Sequence, residues 1–503
     1  MRYDVAIIGY GPTGATLANQ LGQAGLSVVV FERETAVYRL PRAIHFDGEV
    51  MRVFQNIGLK KVVEGISRPG LKGMHFVNPA GQTLLVRGGS ALRGPHGCAN
   101  NYYFHQPELE MVLRLGVTRY TNVHVHVHHE VFALHPDADG VTLRYENSAD
   151  GTLGECRAGY VIGCDGARSL TRRVMDSPMD DLGLHQPWLV FDVLLREGRG
   201  GDLPDHTQQI CDPARPMTFC NVVGPRRRWE IMLLPGDDVH TVARAENVWS
   251  LVSRWITPED AELERAAVYT FHSVIARRWR GKGDAGRLLL AGDAAHQTPP
   301  FLGQGMCAGI RDAANLAWKL VLVAQGRAPA TLLDTYESER APHVRAFIEL
   351  AVKLGDIIQT TDPAVAAERD REFMSGAPEV FVFPSPSLGP GLHSDAPAPV
   401  GLSFPQPDLP DGTPLDTALG QRFAVIAEAA VLAAVSPATR TRWQALDVHV
   451  LPVDAVHGGA QIAAWLVEHQ VRGVILRPDR YIMGTVGSAA ELDALSEGLP
   501  VAV

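Results

Sequence analysis

Apolar positions along the chain change their period, and the changes mark the elements. Val5-Ala6-Ile7-Ile8 is short, apolar throughout and largely β-branched, which predicts a fully buried parallel strand. A helix follows with Leu17 and Leu21 on one face and Gly25 placed to end it. Val28-Val29-Val30-Phe31 predicts a second buried strand. Two later runs, Tyr160-Val161-Ile162-Gly163 and Leu288-Leu289-Leu290-Ala291, have the same character and break into turns at Asp165-Gly166 and Gly292-Asp293. Helices are predicted over about 47–57, behind Pro107 over 107–118, from 303 through 322, and over 333–354.

The stretches 74–78 and 83–86 predict a hairpin. From about 181 to 280 the pattern turns strand-like, at 188–195, 208–211, 217–223, 229–234 and 268–273. This predicts a mainly antiparallel sheet inserted between halves of an α/β domain, where it could lid a pocket. A Pro/Gly/Ser-rich stretch, 381–412, reads as a linker. Beyond it, strands at 423–427, 448–453 and 474–476 alternate with helices near 461–469 and 488–497, a small α/β domain.

Chemistry gathers where buried strands break. After the first comes Gly9-Tyr10-Gly11-Pro12-Thr13-Gly14, a G-x-G-x-x-G inside a complete strand–turn–helix–strand unit. Gly9 permits the tight turn, Gly11 lets backbone approach a pyrophosphate, and Gly14 lets helix pack on strand. The helix N-terminus offers free N–H groups to phosphates, and Glu32 can accept hydrogen bonds from ribose hydroxyls. This is a dinucleotide site. Behind the Asp165-Gly166 turn crowd Arg168, Arg172 and Arg173, either a solvated basic face or a second loop bordering the dinucleotide. Gly292-Asp293, Pro299-Pro300 and Gly303-Gln304-Gly305-Met306 open a long helix. There Asp293 could hydrogen-bond a polyol, and the positive helix end at 303–306 could stabilise negative charge on a reduced ring. Pro41 makes a loop entry, and Arg42 behind it either faces the cofactor or lies in solvent.

The 503 residues suffice for two or three domains, and the net charge of −10 argues against nucleic acid or an anionic membrane as partner. Six scattered cysteines without C-x-x-C or zinc spacing suit a reducing cytoplasm. The first strand begins within four residues, so no secretory signal is expected, and the longest apolar stretch, 423–435, is too short to span a bilayer. On the strand at 123–129, Val125 and Val127 are expected to be buried and His124, His126 and His128 to face solvent, with no metal site.

The three loops in this order resemble the class A flavoprotein monooxygenases, the FAD-dependent aromatic hydroxylases. By motif the resemblance covers about residues 1–355, and by architecture the whole chain. Within that family the chain is most similar to the 3-(3-hydroxyphenyl)propionate hydroxylases. That similarity rests on Pro41-Arg42-Ala43-Ile44, Cys211-Asp212-Pro213-Ala214-Arg215-Pro216, Asp312 with Asn315-Leu316-Ala317-Trp318-Lys319, Glu339-Arg340 and Arg477-Pro478-Asp479-Arg480-Tyr481. His45-Phe46-Asp47-Gly48 departs from the family pattern.

The resemblance implies an α/β fold: a Rossmann-like FAD-binding domain of the para-hydroxybenzoate hydroxylase type (1–73, 103–180 and 280–380), an antiparallel-sheet substrate domain (74–102 and 181–279), and a thioredoxin-like C-terminal domain (413–503). That last domain has no cysteine, so thiol chemistry is excluded and a structural or dimer-contact role expected. It implies FAD held by Gly9, Gly11, Pro12, Thr13, Gly14, Glu32, Arg33, Arg42, Gln106, Asp165, Gly166, Gly292, Asp293, Pro299, Gly303, Gln304, Gly305 and Met306. NAD(P)H reduces the flavin, O2 adds at its C4a atom, and the hydroperoxide hydroxylates a phenol ortho to its OH. His45, Arg215, Tyr269, His296 and Pro299 are the expected substrate-side residues, with Arg215 able to pair with a substrate carboxylate. The expected partners are a small phenol and O2, with a homodimer at family level. Two alternatives stand beside this: a tailoring hydroxylase of a polycyclic aromatic natural product, and a non-catalytic FAD-binding interaction protein.

Overall fold

The computed structural model describes residues 2–38, 42–88, 91–376, 385–453 and 459–502, with 379–381 as backbone; Pro41 lies outside them. The apolar runs form the centre of a seven-stranded sheet. Arg2–Ile8 lies between Val28–Glu32 and Thr152–Gly163, parallel to both, and Leu288–Leu290 joins parallel to the far end of Thr152–Gly163. Ile8 pairs with Gly163, and Gly163 with Leu290. The three Gly-rich turns therefore leave one sheet edge side by side, the carboxyl edge where open α/β sheets bind ligands. Val5, Ala6, Ile7, Val28, Val30, Val161, Ile162, Leu288 and Leu289 are buried, as expected of strands covered on both faces.

The edge strand Val123–Val127 differs from expectation. Val125 and Val127 are exposed; His124, exposed as expected, bonds the Tyr3 hydroxyl at 3.0 Å, and the half-buried His126 stacks on Phe31. Alternation separates two faces but does not say which is covered, and at this edge the histidine face meets the aromatic neighbours.

The inserted sheet has nine strands, in the order His296–Gln297, Ala261–Ala276, Met179–Leu195, Arg226–Met232, Met217–Asn221, Thr207–Ile210, Met74–Val77, Thr83–Arg87, Glu379–Phe381. It is antiparallel except where Thr207–Ile210 meets Met74–Val77 and where Glu379–Phe381 meets Thr83–Arg87. One face, with Phe191, Phe219, Trp229 and Ile231, packs under the helix Ala245–Val252. The other, with Trp188, Met232 and Leu85, turns toward Phe301 and Leu302 of the third Gly-rich segment. His296–Gln297 makes that segment part of the inserted sheet itself.

The C-terminal unit is a four-stranded sheet, His449–Val453, Ala424–Glu428, Gly473–Leu476, Ile482–Val486, with one parallel pair followed by two antiparallel pairs. That is the βαβ–ββα order of a thioredoxin-like fold. The stretch predicted as a linker is not a free spacer where it is described, from 385 on. Val400 and Phe404 are buried, and Phe404 N–H donates to Arg480 O at 2.9 Å. Buried charge ties this unit to the first: Asp416 meets Arg52 at 2.5 Å and Arg480 at 3.0 Å, and Glu339 meets Lys319 at 2.7 Å and Arg477 at 2.8 Å. Charges so deeply buried are tolerated only when each meets an opposite charge, as these do.

Candidate functional site

The first turn is built as its glycines require. Gly9 has φ +99°, and a Cβ there would lie 2.2 Å from Cys164 O, so the first two loops touch backbone to backbone. A Cβ on Gly14 would lie 2.1 Å from Gly9 O, which is how closely helix Pro12–Gln23 sits on its strand. A Cβ on Gly11 would meet nothing within 4 Å. The helix start has no side-chain cap, leaving its N–H groups directed at that open space. The Thr13 side chain packs against Gly292 and Gly309, tying the first turn to the third segment. Glu32, at the end of the second strand, accepts from Tyr10 N–H at 2.8 Å and Glu34 N–H at 2.9 Å.

Around this turn the structure brings several expected residues together. Arg42 Nη2 lies 3.0 Å from Asp293 Oδ2, with both side chains partly open to solvent. Tyr269, beside Tyr38 and Arg42, has its hydroxyl pKa pushed up to about 12 by burial. Gln106 is buried and donates to Glu110 at 2.6 Å, on a helix fastened to the turn by Arg114 Nε donating to Tyr10 O at 3.1 Å. Asp165 Oδ2 accepts from Thr171 N–H at 3.1 Å, while its Oδ1 is buried without a partner. Gly166 has φ +73° and open space beside it. Arg33 stands apart, exposed and paired with Glu34 at 3.3 Å.

The third segment is held rigidly. Asp312 Oδ2 accepts from Gly292 N–H at 3.0 Å and meets His296 Nε2 at 2.7 Å, and its Oδ1 meets Arg340 at 2.9 Å. Burial works against ionising Asp312, but His296 and Arg340 outweigh it and hold its carboxyl below the usual range. His296 is thus fully buried under the turn, as a brace.

Pro299 leads into a short turn ended by Gly303 in the left-handed conformation, φ +63°. Helix Gly305–Ala324 then starts with no side-chain cap, and a Cβ on Gly305 would meet only Thr298 O, at 3.9 Å. Gln304 does not face this opening. Its amide donates to Asp47 at 3.1 Å and accepts from Arg311 at 3.0 Å. Arg311 is a hub absent from the sequence expectations, meeting Asp47 at 2.5 Å and Glu49 at 2.6 Å. Burial opposes the Asp47 charge, yet Arg311 holds its carboxyl below the ordinary range. The faint sequence signal for this hub was the presence of Arg311, Asp312 and Lys319 inside an otherwise apolar helix.

On the sheet side, His45 Nε2 lies 2.9 Å from Asn101 Oδ1 and its Nδ1 3.4 Å from Gly303 O. Burial, and then the charge of Arg87, lower its pKa, so it is neutral at neutral pH. Arg87 itself donates to Leu302 O at 2.9 Å. Arg215 lies elsewhere, paired with Asp237 at 2.5 Å, so its charge is already met within the protein.

An uncapped helix start facing open space beside Gly11, a second beside Gly305, and a carboxylate at the end of the second strand fit a dinucleotide whose far end is a flat ring. Fold and site together define a flavin-dependent monooxygenase. The chain belongs to the FAD binding domain family, whose model matches residues 2–351, and residues 401–500 match the HcaD C-terminal domain. It is 38% identical to the probable NADH-specific resorcinol 4-hydroxylase of Rhodococcus jostii (strain RHA1), over 99% of this chain and 95% of that one. It is 33% identical to the 3-(3-hydroxy-phenyl)propionate/3-hydroxycinnamic acid hydroxylase of Escherichia coli (strain K12), over 96% and 91%. Two solved structures share the fold across 99% of this chain at 22% identity: the flavin-dependent monooxygenase PieE with FAD and substrate, covered over 98% at TM-score 0.84, and aklavinone-11 hydroxylase with FAD and aklavinone, covered over 99% at TM-score 0.82. Among the described residues no group of His, Cys, Asp and Glu could hold a metal, and no helix is long and apolar enough to cross a membrane.

Proposed function

We propose that this monooxygenase hydroxylates 3-(3-hydroxyphenyl)propionate or a similar phenolic acid, ortho to its OH. Bound FAD supplies the chemistry, taking electrons from NAD(P)H and activating O2. The chain's own residues bind, orient and dry the site. One observation carries the reading: the uncapped helix start at Gly305, where an added Cβ would meet only Thr298 O, follows directly on Gly303, whose carbonyl lies 3.4 Å from the His45 ring. The buried cluster of Trp188, Phe301 and Leu302 packs against this segment, and Tyr269, paired in register with Trp188, has a buried hydroxyl with no partner among the described residues that can hydrogen-bond a phenol. The neutral Tyr269 hydroxyl can donate to phenolate oxygen, while His45, held between Asn101 and Gly303, fixes the segment beside it. Gly9, Gly11, Thr13, Gly14, Glu32, Arg42, Asp293 and the segment 299–306 are proposed to hold FAD. The enzyme is proposed to be a cytoplasmic homodimer.

The test is NAD(P)H oxidation by the FAD-bound protein across a phenol panel, with product mass and hydrogen peroxide followed together. Stimulated oxidation, a product one oxygen heavier and little peroxide with the phenolic acid support the reading. Oxidation yielding only peroxide with every phenolic acid overturns that substrate. Resorcinol is the second reading, favoured because Asp237 already neutralises Arg215, the side chain expected to meet a carboxylate.

A further inference from the structure

A second cavity lies behind the three-stranded sheet of His45–Asp47, Asn101–Phe104 and Ser67–Pro69. It encloses about 440 Å³, within the range of small-molecule sites. Three permanent cations line it, Arg68, Lys72 and Arg227, and one carboxylate, Asp205. Asp205 is already engaged, by Lys72 at 2.5 Å and His206 at 3.0 Å.

The two arginines are different. Among the described residues neither Arg68 nor Arg227 has a carboxylate partner. Arg68 is fixed by donating to Asn221 O at 2.5 Å and Val222 O at 3.3 Å, and its guanidinium lies 5.1 Å over the Tyr103 ring. Arg227 donates to Gly224 O at 3.0 Å and to Arg226 O, while its Nε is buried with no partner at all. Burial, and then the charge of Arg68, depress the Arg227 pKa, so the two guanidiniums repel across the cleft. An anion between them would relieve that repulsion.

The remaining walls are Pro69, Leu71, Val222 and Tyr103, whose ring lies under Arg68. They suit one flat apolar ring. Tyr103 also separates this cleft from the interior: its ring is 5.9 Å from that of His45, and its hydroxyl meets Thr207 at 2.6 Å.

We propose that this cleft binds an aromatic carboxylate, its anion between Arg68 and Arg227 and its ring against Pro69 and Leu71, as an antechamber to the site beyond His45. As a statement about substrate entry it rests on the phenolic-acid reading above; as a binding site it does not.

The experiment therefore uses 3-phenylpropionate, which has no phenolic OH. Calorimetric titration into the FAD-bound enzyme is compared with R227Q, R227K and R68Q, each checked for an unchanged thermal midpoint. Loss of one charge-assisted partner should weaken binding about tenfold or more in R227Q, with R227K recovering part of it. The neutral analogue 3-phenylpropanol should bind the wild type weakly, and salt should weaken the carboxylate. Equal 3-phenylpropionate affinity in wild type, R227Q and R68Q overturns the proposal. So does a titration in which R227Q loses inorganic pyrophosphate but keeps 3-phenylpropionate, which would mark a dinucleotide phosphate site. Should 3-phenylpropionate bind through Arg227 while no phenolic acid is hydroxylated, the cleft stands and the substrate reading falls.

Discussion

Tyr481, in the C-terminal unit, donates its hydroxyl to Glu49 Oε1 at 2.7 Å, with both side chains buried. Glu49 in turn meets Arg311, and Arg311 meets Gln304, next to the helix start beside Gly305. Removing the Tyr481 hydroxyl leaves a buried carboxylate one donor short, a loss of about 1.5–3 kcal/mol. Y481F is therefore expected to fold with lowered stability, read by urea unfolding, and to hold FAD more weakly, read by recovery of flavin fluorescence.

Asp312 joins Gly292, His296 and Arg340 with no exposure of its side chain. D312A strands a buried arginine and removes the brace from the third segment. Breaking such a set from one side costs about 3–5 kcal/mol. The variant is expected to unfold at markedly lower urea and to purify without flavin. Normal flavin content would contradict the bracing role.

Two glycines of one motif are predicted to fail differently. At Gly11 an added methyl enters open space on the phosphate side, so G11A should keep its stability and lose FAD affinity by about tenfold or more. At Gly14 the methyl would meet Gly9 O at 2.1 Å, so G14A should lose stability even without FAD. Thermal unfolding of the two apoproteins separates them.

The Glu339 carboxyl is buried, which opposes its charge, but Arg477 and Lys319 hold its pKa below the ordinary 4.5. A depressed folded pKa contributes stability that is complete above the unfolded value and is lost as pH falls through the folded one. Wild-type stability should thus decline below about pH 4.5 more steeply than that of E339Q, which lacks this titration. Equal slopes in urea unfolding between pH 3.5 and 6 would refute the assignment.

The loops were legible because a missing side chain is itself the signal. At Gly9 and Gly14 no other residue fits, and the apolar strands before the turns set their register. The supports under those loops were not legible. Glu49 and Tyr481 stand 432 positions apart, and no period or spacing joins them. His296 carries the same lesson. The family resemblance placed it among the substrate-side residues, whereas a two-residue strand too short to predict turns it inward to Asp312. The Pro/Gly composition of 381–412 signalled a lack of regular structure and was silent on whether Val400 and Phe404 would pack.

The paired charges between the two ends of the chain also limit how it can be recombined. Arg52, Glu49 and Glu339 each find one partner beyond residue 410, in Asp416, Tyr481 and Arg477. A cassette exchange that brings in the last hundred residues of a relative must bring those three partners, or it leaves Arg52 without its carboxylate and Glu49 and Glu339 each one donor short in a buried seam. Inheritance of the two halves is, in that sense, joint: a substitution at Glu49 is judged by residue 481 before it is judged by any ligand.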